Sequence, residues 1–497
     1  MSLTNFTYAF FANLTLLMVA VGFILRPPLR QTWWAALHPA WWINLLAAGG
    51  WIFLIWQAPT WPGVFGPSLA VGRFLLVLAI ANVLFLFYNG GQTLAALQRA
   101  VLANFLVGAN LWWLGAQNII LAMLALAMIA ISTYFLLLLG APAAKMRFLW
   151  RFFVLDQIAN ILILLGLLIL AKIGLGLQLP TAFDPLSLTA GPLTKPLVTI
   201  SLIFFLAGLV FKLGPLPFSG WWIDVVANFK AEAVIAFICL GILPVAYGIL
   251  RFIWAVLPLS DLVTDHGSEV FYGLAGIMMA VYNWWAWKNK DFSSSCMQGL
   301  LAFAAMFLIF VPLSQTANIE SELSIYMIYY ILVVSGVLAV LPSLKPPAGR
   351  AHPLQGLFYR NFAQALLVIV LWAAVMGLPL TFGLPIKYVL HMAVLRQGHF
   401  GGMICLLMGT MATAAFWGQH LTYLFQEEHQ SAKAAEHNED DRAEVASPQN
   451  ARSMLAAAET TETPGRHPRL FWLGLGLMIV LVGLGIYPSL LMAYFRG

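Results

Sequence analysis

Apolar segments of about twenty residues recur along almost the whole chain. They fall near 6–25, 36–57, 72–89, 100–116, 118–139, 150–171, 196–214, 232–255, 268–287, 297–315, 323–343, 360–395 (interrupted), 400–424 and 470–493. At about 1.5 Å of rise per residue, a helix of that length matches the hydrocarbon thickness of a bilayer. The pattern predicts an all-α polytopic membrane protein with about 14 transmembrane helices. Of the 497 residues, 62% are hydrophobic and 9% charged, which excludes the soluble globular classes.

Lysine and arginine placement sets the expected orientation. Loops after odd-numbered spans carry most of the positive charge, including Arg147, Arg151, Lys230, Lys288, Lys290, Lys345 and Arg360, whereas loops after even-numbered spans carry few such residues. Odd loops are therefore expected in the cytoplasm and both termini in the periplasm of a bacterial inner membrane. The net charge of +6 reflects those loops, and no nucleic-acid partner is expected. The N-terminus lacks the basic region of a cleavable signal, so the first apolar run reads as a retained helix. A polar stretch from Gln426 to His467 reads as a cytoplasmic linker. The three cysteines have neither disulfide-framework nor metal spacing. With no nucleotide loop or nucleophile triad in the sequence either, no cofactor or metal is expected, and any redox or hydrolytic chemistry belongs to a partner.

Two stretches break the apolar pattern in a way that points to function. In Gly208-Leu-Val-Phe-Lys212-Leu-Gly-Pro215-Leu-Pro217, a lysine inside a span meets two prolines within five residues. In Gly377-Leu-Pro379-Leu-Thr-Phe-Gly383-Leu-Pro385-Ile-Lys387, glycines and prolines precede a second lysine. A lysine at the bilayer centre costs about 2.5–3.5 kcal/mol on insertion scales unless it faces a partner or a polar cavity. Proline frees backbone groups that only protein or water can satisfy at that depth. Interrupted helices at corresponding positions in two halves of a chain are the sequence signature of a transport site.

Phe211-Lys-Leu-Gly-Pro-Leu-Pro-Phe-Ser-Gly-Trp-Trp-Ile-Asp224 resembles the lysine-plus-proline element of the antiporter-like subunits of respiratory complex I, membrane-bound hydrogenases, multi-subunit sodium/proton antiporters and inorganic-carbon uptake complexes. Phe382-Gly-Leu-Pro-Ile-Lys387 resembles the second broken helix of that family, Asn118 to Tyr134 its fifth helix, and Lys288-Asn-Lys-Asp-Phe the basic loop before its tenth. The resemblance covers about 100–424 in order. It implies two inverted five-helix repeats, 100–255 and 268–424, each with a broken helix, after N-terminal helices in 1–99 and before a polar loop at 425–469 and a last helix in 470–497. It also implies a lysine relay that carries protons. The sequence departs from the family in three places. Ala127 stands where family spacing puts the fifth-helix glutamate, Phe237 falls near the eighth-helix histidine, and the tenth and eleventh helices lack the joining lysine or histidine.

The relay candidates are Lys212, Lys387, His391, Glu232, Lys230, Asp156 and Asp224, with breaks at Pro215, Pro217, Pro379, Gly383 and Pro385. Asp156, Asp224 and Glu232 are the available counter-charges for Lys212. His391, one helical turn beyond Lys387, is placed to pass a proton onward. Lys230 and Glu232 are two apart and meet only if the entry to the eighth span is irregular; otherwise they form a surface pair. Asp156 also reads as a partner of Arg151, and His399 and His420 as interfacial. The expected function is a proton-translocating membrane subunit of a larger energy-coupling complex, with other membrane subunits and a soluble catalytic subunit as partners and protons, or sodium, as cargo. The alternatives are the membrane partner of a zinc carbonic-anhydrase-like protein in inorganic-carbon uptake, and a structural subunit that lost the relay.

Overall fold

The computed structural model describes residues 94–114, 116, 119–139, 146–175, 194–214, 225, 229, 231–257, 265–315, 319–344, 352–426 and 468–489. Every regular element among them is helical. In chain order these are α1 (Leu94–Leu114), α2 (Ile119–Leu138), α3 (Met146–Leu170), α4 (Thr194–Leu213), α5 (Ala231–Ala236), α6 (Leu243–Val256), α7 (Asp265–Lys288), α8 (Phe292–Ala305), α9 (Ile319–Val340), α10 (Phe362–Met376), α11 (Gly383–Arg396), α12 (Phe400–Leu424) and α13 (Pro468–Ile486). Seven helical stretches are long and apolar enough to cross a membrane unaided. From α1 onward each long helix overlaps one of the predicted apolar runs, although α1 begins at Leu94 rather than at 100 and α8 at Phe292 rather than at 297. The first three expected spans and the 427–467 part of the polar linker lie outside the described residues.

Burial sorts the helices into layers. The hydrophobic windows of Ala233–Trp254 and Ile319–Ser343 are buried on every side, whereas those of α3 and α12 are one-third buried. An apolar helix buried all round belongs at the centre of a bundle, so α5–α6 and α9 form the core and α3 and α12 face outward. Lipid is as apolar as a leucine side chain, so close backbone approach rather than hydrophobicity holds such helices together. At the α7–α12 crossing a Cβ on Gly409 would lie 2.6 Å from the Gly276 carbonyl, and one on Gly276 would overlap the Cys405 carbonyl. Asn283 crosses the same seam, donating to Thr413 Oγ1 at 2.9 Å.

The core span 231–256 is not a regular α-helix. A π-helical turn, Phe237–Ile242, separates α5 from α6. Pro244, at the start of α6, has no N–H to give the preceding turn. Asn110 of α1 supplies a donor instead: its Nδ2 lies 2.6 Å from the Leu240 carbonyl and 2.8 Å from that of Leu106. The turn packs where side chains are small, since a Cβ on Gly241 would meet Thr133 Cγ2 at 2.6 Å. Phe237, near the position of the family histidine, opens this turn and is buried edge-on against Phe152 of α3. Asn110→Leu should remove the donor from a buried carbonyl and cost about 1–3 kcal/mol. That loss would be read as a lower thermal unfolding temperature in detergent, with Asn110→Asp giving no rescue because a carboxylate has no N–H.

Candidate functional site

Two buried lysines anchor the site, each beside the end of a helix. Lys212 sits in the last turn of α4, and its helix ends at Gly214, whose φ of 69° is left-handed. The Gly214 N–H closes the helix on the Val210 carbonyl, and the Gly214 carbonyl accepts from the Tyr282 hydroxyl of α7 at 3.0 Å. Lys212 Nζ donates to Asp156 Oδ1 of α3, and the two side chains are 3% and 8% exposed. The helices can approach because α3 and α4 carry glycines at their contact. A Cβ on Gly208 would lie 2.6 Å from Ile163, and one on Gly166 would lie 3.1 Å from Phe205. Ser201 Oγ adds a bond to the Gly166 carbonyl at 2.9 Å.

Of the three counter-charges the sequence offers, Asp156 is the one seen paired with Lys212; Arg151, its other expected partner, is exposed. Ala127 is exposed on the outer face of α2, so an acid at that position would point away from the core. The carboxylate comes from α3, the next helix along. One turn after Asp156, Asn160 is 4% exposed, and neither its Oδ1 nor its Nδ2 has a hydrogen-bond partner in the protein. Buried amides are almost always satisfied, and where protein does not do it ordered water does. The pair therefore borders a polar spot that suits water.

Lys387 solves a different problem. An α-helix leaves its last four carbonyls without intrahelical partners. At the end of α10 all four are held. Ala373 O accepts from the N–H groups of Gly377 and Leu378 at 2.9 and 3.0 Å, and Ala374 O from the Tyr329 hydroxyl at 2.8 Å. Val375 O and Met376 O accept from Lys387 Nζ at 2.8 and 3.0 Å. The lysine reaches back from α11 across the break and sits at the negative end of the α10 dipole, where a cation is favoured. Gly377 makes this possible: its φ is 81°, and a Cβ there would lie 2.9 Å from Lys387 Cδ. Gly383 opens α11 with its Cα face against the Ala374 carbonyl, leaving no room for a side chain.

The break itself is braced from outside. The Phe382 N–H donates to the Leu481 carbonyl of α13 at 3.0 Å, and Gly485 of α13 packs on the backbone of Leu380 and Thr381. Leu380 holds a φ of 69°, rare for a bulky residue. Pro379 lies exposed in the break, and Pro385 occupies the first turn of α11, where its missing N–H costs nothing. Lys387 and His391 are 6% and 8% exposed; His391 Nδ1 donates to the Lys387 carbonyl at 2.6 Å, and its ring sits against the Leu406 backbone of α12. Lys387 Nζ also faces the Phe303 ring, 5.1 Å from its centroid.

Glu232 is helical at the start of α5, and its side chain is outside the described residues, as are Lys230, Asp224, Pro215 and Pro217. Reasoning from the sequence missed the buried hydroxyls and amides that complete the site, namely Tyr282, Tyr329, Asn110 and Asn160. Tyr326, Tyr329 and Tyr330, all buried, occupy α9, where the family's joining base is absent. Their one sequence signal was their place in a span that otherwise contains only apolar and small residues after its first turn. His399 and His420, expected at the interface, are buried as well. Among the described residues no group of three or more His, Cys, Asp or Glu is placed to hold a metal.

No protein-family model matches the chain. Relatives named NADH-quinone oxidoreductase subunit N are 25% identical in Rhodococcus opacus over 339 residues and 25% identical in Nitrosomonas europaea over 334. These alignments cover 66% and 65% of this chain and 61% and 67% of the relatives. The chain thus spans a little under two thirds of the Rhodococcus protein it matches. NADH-quinone oxidoreductase subunit N 2 of Symbiobacterium thermophilum is 22% identical over 426 residues, 83% of this chain and 81% of the relative. The fold matches a chain of respiratory complex I from Thermus thermophilus with a TM-score of 0.69 at 18% identity, covering 98% of each chain. It matches a chain of the Mrp complex from Dietzia sp. with a TM-score of 0.73 at 14% identity, covering 100% of this chain and 96% of that one. A chain of an archaeal membrane-bound sulfane sulfur reductase matches with a TM-score of 0.74 at 15% identity, covering 99% and 96%. The chain is thus similar in sequence to proteins named NADH-quinone oxidoreductase subunit N and similar in fold to chains of respiratory complex I, the Mrp complex and the membrane-bound sulfane sulfur reductase.

Proposed function

We propose that this chain is a proton-translocating membrane subunit of a larger energy-coupling complex, with Lys212 and Lys387 as the groups that gain and lose protons. The observation that carries the reading is the burial of Lys212 against Asp156 beside a helix end and a spot suited to water. Intramembrane ionisable residues are costly and mark ion pathways. Asp156 also answers the strongest argument for a purely structural subunit, because it supplies the counter-charge that the fifth helix lacks. The relatives support an assembly of the oxidoreductase or antiporter kind, with other membrane subunits and a soluble catalytic subunit, in a bacterial inner membrane.

The chemistry follows from donor counts. A lysine ammonium has three N–H donors and a neutral amine two. Lys387 uses two, on Val375 and Met376, so its third proton can leave without uncapping α10. His391, one turn along α11, is the next carrier on that side. At Lys212 the proton is shared with a carboxylate. Water reaching Asn160 would draw it away and leave the pair one charge more negative.

The repeat organisation fits the same reading. Taking α5–α6 as one span, and α10–α11 as another, 94–256 and 265–424 each contain five spans, and the fourth of each carries the lysine and a left-handed glycine. That order supports two inverted repeats. The positive charge of the loops supports placing the 288–291 and 345–361 loops in the cytoplasm.

Lys212→Met and Lys387→Met should abolish proton flux per assembled complex, measured with a pH-sensitive dye in membrane vesicles that contain the chain with its native partners. Full flux in both variants would reject the relay. Asp156→Leu should leave a buried, unpaired ammonium and cost about 3–5 kcal/mol. Thermal unfolding in detergent would report that cost, and the double variant Asp156→Leu/Lys212→Met should recover most of it; a double variant no better than Asp156→Leu would show the pair is not the source of the loss.

A further inference from the structure

A pocket of about 480 Å³ opens where the α7–α8 loop, the segment before α10 and the end of α12 meet. Lys288 and Lys290 flank it, both exposed, and Asp291 caps α8 by accepting the Ser294 N–H at 2.8 Å. Two histidines from different segments form its wall, His352 and His420. Their rings stack with centroids 5.5 Å apart and 26° between planes, and His352 lies flat on Tyr423 at 4.0 Å. Phe292 and Phe416 close the sides edge-on, each about 5 Å from a histidine ring. Apart from each other, these imidazoles face no charged group in the pocket but Lys288, Lys290 and Asp291.

Three of the four ring nitrogens are buried with no hydrogen-bond partner in the protein. His352 Nδ1 accepts the Leu354 N–H at 3.2 Å, which places its proton on Nε2, and Nε2 has no partner in the protein. His420 is 8% exposed, and neither of its nitrogens has one. Burial pushes His352 down to about 4, so the ring is neutral at physiological pH, and with its acceptor nitrogen taken by Leu354 it offers Nε2–H as a donor. Inward from the pocket, further buried polar atoms lack protein partners: Gln298 Oε1 of α8, Trp417 Nε1 of α12 and Trp372 Nε1 of α10. Trp417 lies one turn from His420 on α12, and its ring meets Trp372 at 5.1 Å. Trp372 is in turn one turn before Val375, whose carbonyl accepts from Lys387.

We infer that this pocket is a proton-exchange vestibule, in which His420, stacked on His352, passes protons between bulk water and the interior leading to Lys387. His420, with both ring nitrogens unpartnered, takes a proton from water on one nitrogen and releases the one on the other, so no net charge is left behind. His352, held through Nδ1 by the Leu354 N–H, keeps its Nε2 proton and positions the His420 ring by stacking on it. The inference rests on the proton-transfer reading above, and it adds a site on the face proposed to be cytoplasmic. Interfacial packing alone would need neither unpartnered nitrogens nor a pocket beside the rings that carry them.

The test is chemical rescue in vesicles that contain the chain with its native partners. His352→Ala/His420→Ala should lower proton flux at alkaline pH by roughly 10²-fold, the usual contribution of a positioned acid–base group. Millimolar imidazole, which fits the space the side chains vacate, should restore it. Pyrazole, a ring of the same size and far too weak a base to carry the proton, should not. Full flux in the double variant without added base would overturn the vestibule, as would rescue by both rings or by neither, since each would show a role in packing. Lys387→Met run in parallel separates the two readings. Full flux there rejects proton transfer through Lys387, whereas a dead lysine variant beside an active histidine variant rejects the vestibule alone.

Discussion

A lysine ammonium in an apolar interior has to be held by something, and a helix that stops in the same place exposes carbonyls that have to be held as well. Around the second break these two liabilities cancel. Lys387 gives its donors to the carbonyls of Val375 and Met376, so the charge is solvated by the helix end and the helix end is capped by the charge. Much of the surrounding structure serves that exchange. Gly377 and Gly383 clear the space, Tyr329 takes the remaining carbonyl, and α13 braces the loop through Leu481 and Gly485. A side chain added at Gly377 would press on the lysine directly, and a residue replaced at the other points disturbs it through the helix end it caps.

The same logic explains the irregular core span. Pro244 removes a donor in the middle of a helix that is buried on all sides, where no water is available to compensate. The chain answers with an extra residue in the turn and an amide from α1. Asn110, in the apolar second half of α1, is explained by a proline more than a hundred residues away. Helical irregularities of this kind recur at functional sites, and this one lies in the span that follows the Lys212 break.

The spans from α1 onward were legible in the sequence because a bilayer imposes one length and one composition on every crossing helix. The two lysines were legible for the converse reason: a charge in such a run stands out. What was not legible is which groups meet. Asp156 could be named as a counter-charge, but choosing it over Asp224 or Glu232 depends on how α3 is rotated against α4, and that rotation is set by the Gly166 and Gly208 contacts. Ala127 shows the limit of counting by spacing, since the counted position faces outward. The buried tyrosines were passed over, and His399 and His420 read as interfacial, because nothing in a single sequence distinguishes a polar group that caps a carbonyl or lines a cavity from one that fills a gap.

The two lysines are not equivalent in what a proton does to them. At Lys387 the compensation is a helix dipole and two carbonyls, which an amine can serve as well as an ammonium, so the break keeps its cap in either state. At Lys212 the compensation is a carboxylate on another helix. Loss of the proton there leaves Asp156 as a buried, uncompensated charge, unless the proton moves across to give a neutral amine and a neutral acid. The first site therefore ties protonation to the attraction between α3 and α4, while the second lets protonation change with little structural consequence. On the proposed reading, a coupling step that converts charge into movement belongs at the Lys212–Asp156 pair, and Lys387 with His391 serves as the conducting segment.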